Sequence, residues 1–166
     1  FGKVFTDHMF LMNYTEGQGW HDPRVVPYAP IPFELGTTVF HYGQEMFEGM
    51  KAYRTAEGKI QMFRPMENIN RMNNSGERLC IPHIPEDMFM NALKTLISVE
   101  QDWVPSEEGT SLYIRPFVIA TDVMLGVHAS HTYLFAIICC VVDAYYKEGL
   151  NPVKILVESK DVRAVR

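Results

Sequence analysis

The sequence is poor in the features that mark the simplest functional classes. It has only three cysteines, Cys80, Cys139 and Cys140, an odd count with no C-x-x-C spacing. That excludes a disulfide framework and reads as buried or free thiols in a reducing cytoplasm. Cys139 and Cys140 are adjacent within an apolar stretch, so on a strand they point to opposite faces and do not share a metal. There is no long run of basic residues, and the net charge is −5, so the electrostatic footprint of a nucleic-acid surface is missing. No window reaches the apolar length of a membrane span, roughly 18 residues, and no charged-then-apolar leader is visible. No G-x-G-x-x-G, phosphate-binding Walker loop or G-x-S-x-G occurs. The six histidines are scattered. His128 and His131 lie three apart, but in a polar loop with no evident carboxylate partner, so no metal site is expected.

What is present fits one globular unit with a real core. The chain has 166 residues, 47% apolar and 21% charged, ordinary values for a soluble domain. Residues 1–14 read as a strand or hairpin lead-in, and 17–23, with Gly17, Gly19, Asp22 and Pro23, as turn chemistry. Residues 25–32 are extended but hold Pro27, Pro30 and Pro32, which suits an edge or a loop. A hairpin is predicted from 50–55 and 59–63 around Gly58. Pro65 opens a helix running to about Leu79, with Met66, Ile69 and Met72 at helical spacing. A second helix follows Pro85, with Met88, Phe89, Ala92, Leu93, Leu96 and Ile97 as its apolar face. Strands are predicted at 111–121, 132–142 and, shorter, 153–158, with a loop over 122–131. Blocks of hairpins and helices, rather than strict strand–helix alternation, predict an α+β fold with a largely antiparallel sheet flanked by helices.

Four groups of residues offer chemistry. In Ser111-Leu112-Tyr113-Ile114-Arg115-Pro116, period two puts Tyr113 and Arg115 on one face. A phenol beside a guanidinium suits an anionic ligand, and the same pattern is shown by a solvent-facing strand side. Arg71 on the first helix has the reach to hold a phosphate, although an exposed helical arginine is the commoner case. Tyr42 and Phe47, near Gly49, line an apolar pocket or belong to the core. Met124-Leu125-Gly126-Val127 is an apolar loop tip, which contacts a partner or folds back on its own domain.

These residues fall into a known pattern. Phe1-Gly2-Lys3-Val4-Phe5-Thr6-Asp7-His8-Met9, Phe47-Glu48-Gly49-Met50-Lys51-Ala52-Tyr53, and Phe63-Arg64-Pro65 with Asn68 and Arg71 come first. Asp102-Trp103-Val104-Pro105, Gly109-Thr110-Ser111-Leu112-Tyr113-Ile114-Arg115-Pro116 and Leu125-Gly126-Val127 continue it. In collinear order over essentially the whole chain, the sequence resembles the N-terminal portion of the class IV, fold type IV branched-chain amino-acid aminotransferases.

The resemblance implies a small N-terminal α/β domain at 1–144, a linker at 145–152 and the start of a larger domain at 153–166. It implies pyridoxal 5'-phosphate as cofactor and transfer of the amino group between leucine, isoleucine or valine and 2-oxoglutarate, with glutamate and the 2-oxo acids as the other partners. The Schiff-base lysine, in a Gly-Asn-x-Lys motif, is expected beyond Arg166, so the 166 residues hold no catalytic residue and are expected to be inactive alone. By position, Arg71 and, less directly, Arg163 would bind the cofactor. Phe1, Tyr42, Phe47 and Tyr113 would wall the substrate pocket, and Tyr42 would also hydrogen-bond the substrate carboxylate. Arg115 would pair the distal carboxylate of glutamate. Leu125 and Val127 would close the pocket from the other subunit of a homodimer, with Tyr145 nearby. Two other readings compete: another class IV enzyme, such as a D-amino-acid aminotransferase or aminodeoxychorismate lyase, and a non-catalytic dimerisation module. Coding sequence past Arg166 separates them.

Overall fold

A computed structural model describes residues 2–143, 149 and 151–161. The predicted α+β class is what the chain adopts, and every strand pairing is antiparallel. The strands are β1 (His8–Thr15), β2 (Gly19–Pro27), β3 (Glu45–Phe47), β4 (Met50–Arg54), β5 (Ile60–Met62), β6 (Ser111–Ala120) and β7 (Thr132–Val142). They form one sheet in the order β2-β1-β7-β6-β4-β5. β3 shares the outer edge of β6 with β4: Phe47 faces Phe117, and Met50 faces Ile114.

Among the described residues three α-helices accompany the sheet: α1 (Val39–Tyr42), α2 (Pro65–Arg78) and α3 (Glu86–Val99), with a 3-10 turn at Gln101–Trp103. α2 starts where Pro65 presets φ at a position whose missing N–H costs nothing. It ends with Cys80 left-handed (φ 56) while Ile81 N–H donates to the Gly76 carbonyl at 2.9 Å, the Schellman closure that usually takes glycine. α3 buries Phe89, Ala92, Leu93, Leu96 and Ile97, a stripe at i, i+3, i+4, i+7 and i+8. That stripe and Ile69 and Met72 of α2 pack on Leu112, Ile114 and Val118 of β6 and Phe135 and Ile137 of β7. The opposite sheet face carries a smaller cluster of Met9, Leu11, Leu134 and Ala136.

Several expectations need correction. The turn expected at 17–23 is shorter: β2 begins at Gly19, and the left-handed Asp22 before Pro23 is accommodated by a break in the β1–β2 register between Leu11 and Asn13. β2 is indeed the edge strand, as its prolines require. Met88 does not join the core of α3; it is 40% exposed and lines a cleft of about 320 Å³ with Phe10, Trp20 and Val25. The segment expected as a strand, 153–158, pairs with no strand among the described residues, and its side chains are exposed. The expected linker, 145–152, falls largely outside the described residues.

Candidate active site

The segment Phe47-Glu48-Gly49 leaves β3 and enters β4, and each of its residues receives a different group. Glu48 is one of two buried acids among the described residues, 6% exposed, the other being Glu100. Its carboxylate accepts from Arg71 Nε at 2.6 Å and Nη2 at 2.7 Å, from Asn68 Nδ2 at 3.0 Å and from the Gly49 N–H at 3.2 Å. Asn68 and Arg71 sit three apart on α2, the spacing that puts both on one helical face. Burial alone would raise the Glu48 pKa; the donors from Arg71, Asn68 and the Gly49 backbone outweigh it and hold it below the ordinary value. The same pairing raises the pKa of Arg71. The Arg71 side chain is 64% exposed. Its Nη1 takes no hydrogen-bond partner among the described residues, so one edge of the guanidinium remains open to solvent.

Gly49 lies against Tyr113. A β-carbon there would run into the Tyr113 hydroxyl, so the absence of a side chain at 49 is what admits the phenol. Arg115 Nε and Nη2 donate to that hydroxyl at 3.1 and 2.7 Å, and its guanidinium carbon lies 4.4 Å from the centre of the Phe47 ring, a cation–π contact. Phe47, Tyr113 and Arg115 therefore form one group, next to Arg71 through two consecutive residues. It occupies the sheet face away from α2 and α3, where β6 alternates half-buried residues with the core ones.

The structure does not bring every expected residue there. Tyr42 ends α1, 42% exposed, with a ring contact to His41 and none to the group above among the described residues. Leu125 and Val127 project from the β6–β7 loop, 71% and 89% exposed. Phe1, Tyr145 and Arg163 lie outside the described residues. Sequence alone does not single out Glu48; the signal available is an acid between Phe47 and Gly49 in a largely apolar stretch.

The expected isolation of His128 and His131 is overturned. The carboxylate of Asp122, several residues earlier, lies 3.2 Å from His128 Nε2 and 2.8 Å from His131 Nδ1. Spacing hid it, because the loop folds back on its own base. Burial would raise the Asp122 pKa, but donors from Thr132, the His131 N–H and both imidazoles hold it well below the usual carboxylate range. His128 is pushed up by the Gly126 carbonyl and by Asp122.

No family model matches the chain. Its relatives are plain nonetheless. Over 166 residues, the whole chain, it is 54% identical to branched-chain-amino-acid aminotransferase 2 of Bacillus subtilis (strain 168), 46% of which it covers. Over 165 residues, 99% of the chain, it is 48% identical to the branched-chain-amino-acid aminotransferase of Mycolicibacterium smegmatis, covering 45% of that protein. By sequence, this chain is similar over its whole length to branched-chain aminotransferases. It spans just under half the length of these relatives. The fold agrees. The branched-chain amino acid aminotransferase of Escherichia coli superimposes with a TM-score of 0.59 at 23% identity, over 83% of this chain and 41% of that one. A second branched-chain amino acid aminotransferase, solved in complex with N-(5'-phosphopyridoxyl)-L-glutamate, gives 0.58 at 23% identity, over 81% and 41%. The sheet and helices described above thus share the fold of these two proteins over about 41% of their length.

Proposed function

We propose that the whole protein is a pyridoxal-phosphate-dependent aminotransferase that exchanges the amino group between leucine, isoleucine or valine and 2-oxoglutarate, and works as a cytoplasmic homodimer. The observation that carries this is the meeting, on Phe47-Glu48-Gly49, of an anchored but open arginine with a Tyr113–Arg115 pair beside an aromatic ring. The first suits a phosphate, the second a substrate carboxylate.

The residues fit the cofactor. Arg71 is fixed on two nitrogens by a buried carboxylate and presents its remaining edge outward, a preorganised geometry for a dianion. Arg163 would be a second contact. When bound, pyridoxal phosphate supplies the electron sink that makes the substrate Cα proton removable. This chain's own residues would bind and orient. Phe1, Phe47 and Tyr113 would give apolar wall to an aliphatic side chain. Tyr42 would donate to the substrate carboxylate. Leu125, Val127 and Tyr145 would close the pocket across the dimer and exclude water. Arg115 would offer its charge when glutamate enters, because an apolar pocket alone penalises a buried carboxylate. The homodimer reading rests on exposed Leu125 and Val127, and the cytoplasmic one on three free thiols.

The deciding experiment replaces Arg71 in the full-length enzyme and titrates the cofactor by absorbance. Arg71→Ala should weaken pyridoxal phosphate by about 10- to 150-fold, the worth of a charge-assisted contact of about 1.5–3 kcal/mol. Binding of phosphate-free pyridoxal should change little. Equal losses for both, or none for either, would make Arg71 a structural partner of Glu48 alone.

A further inference from the structure

We propose that Asp122, His128 and His131 form a binding site for one divalent transition-metal ion of the zinc class, at the base of the loop that joins β6 to β7. The three side chains offer donor atoms within 4.8 Å of one another, and the inference goes beyond the aminotransferase reading without depending on it.

The contacts of His128 carry it. Its Nδ1 lies 2.6 Å from the Gly126 carbonyl oxygen, which can only accept, so Nδ1 bears the proton. In a neutral imidazole the other nitrogen then presents a lone pair. That nitrogen, Nε2, faces the Asp122 carboxylate at 3.2 Å, which also presents only lone pairs. The contact calls for positive charge between them. A histidine whose second nitrogen is tied to a backbone carbonyl is the usual posture of a metal ligand.

The rest of the cluster is built to match. Asp122 Oδ1 accepts from the Thr132 hydroxyl at 2.6 Å, and Oδ2 from the His131 N–H at 2.8 Å, which fixes the carboxylate. Its backbone carbonyl takes both the N–H and the hydroxyl of buried Thr38, at 2.8 and 2.7 Å. A tetrahedral ion with bonds of about 2.1 Å holds its ligand atoms about 3.4 Å apart. The Asp122–His edges, 2.8 and 3.2 Å, fall short of that by about 0.6 and 0.2 Å, so His131 would move outward to admit the ion. The remaining edge closes by rotating His131, whose side chain is 56% exposed and leaves a fourth position for water. Two imidazoles and one carboxylate suit zinc and its neighbours rather than magnesium or calcium. The ion would pin the loop that displays Leu125 and Val127.

The test is a calorimetric titration of the chelator-treated full chain with zinc chloride, in a Cys80→Ser background because the Cys80 thiol is exposed. One ion per chain with micromolar or tighter affinity is expected, weakened on the order of 100-fold in His128→Gln and in His131→Gln. Cobalt(II) in its place should give the intense visible bands of a tetrahedral centre. No saturable uptake up to millimolar zinc, or uptake unchanged in both variants, overturns the site. A loop tightened by acid in a chain that takes up no zinc also overturns it, and makes the positive charge a proton on His128.

Discussion

Arg115 is satisfied before any substrate arrives: it donates twice to Tyr113 and rests on Phe47. An arginine so held can meet an anion without first being ordered, and an aliphatic side chain brings it nothing to pair. Arg115→Met in the full-length enzyme should therefore leave leucine kcat/KM nearly unchanged and lower that for glutamate by about 10- to 150-fold, the loss of one charged hydrogen bond. Equal losses for both substrates in single-turnover assays would recast Arg115 as structural. Glu48 titrates in the opposite sense to a group stabilised by protonation. Its folded pKa is depressed from the ordinary 4.5, so its contribution is fully present above about pH 4.5 and is lost as pH falls through the folded value. Glu48→Gln should cost about 1 kcal/mol at pH 7, discounted for the exposure of Arg71, and the gap to wild type should shrink towards pH 3. Urea unfolding at both pH values measures it; a gap constant with pH would mean the carboxylate charge contributes nothing. Roles for Arg71, Tyr113 and Arg115 came only with the family resemblance, while the Tyr113–Arg115 pairing was legible because period two puts both on one strand face. Glu48 was not, since burial of a single acid depends on which strand edge its segment joins.

At the scale of elements, what period and punctuation can announce was announced. The proline-started helices and the two long strands follow from repeated apolar spacing over ten residues or more, and the Gly58 hairpin from its turn chemistry. α1, β3 and the Gln101–Trp103 turn were invisible, because three or four residues carry no period and β3 exists only by pairing with β6. The join between α2 and α3 is likewise tertiary. Asn73, 8% exposed, donates to the Ile84 carbonyl at 2.9 Å and accepts from the Ile84 N–H at 3.0 Å. One side chain thus stands in for a strand partner and fixes where α3 begins. Asn73→Leu keeps the volume but strands both backbone groups of Ile84, each in an interior with no water to replace the partner. It should destabilise the chain by about 2–3 kcal/mol, seen as a lowered urea midpoint at unchanged slope. A loss below about 0.5 kcal/mol would mean that the Ile84 backbone finds another partner.

The molecule as a whole divides its apolar surface unevenly. One sheet face is sealed by α2 and α3, while the other leaves Phe47 65% exposed and the β6–β7 loop tip more so. The segment 151–161 is the extreme case: Ile155, Leu156 and Val157 are 83%, 90% and 83% exposed, in a stretch whose residues favour a strand. A strand former without a pairing partner among the described residues gains from them neither ladder hydrogen bonds nor the roughly 1.5–3 kcal/mol that burial of each large apolar side chain can supply, so local propensity alone does not hold it. The domain boundary proposed at 145–152 accounts for this, since the sheet partners of 153–158 would belong to the larger domain rather than to this sheet. Amide exchange then has a definite expected pattern. In the 166-residue chain as a monomer, amides of 153–158 should exchange within a few-fold of the unfolded rate, while those at the centres of β6 and β7 exchange only through global opening. In the full-length protein the same 153–158 amides should become protected by several orders of magnitude. Strong protection of 153–158 in the monomeric 166-residue chain would show that the segment finds its partners within 1–144, and would move the boundary downstream.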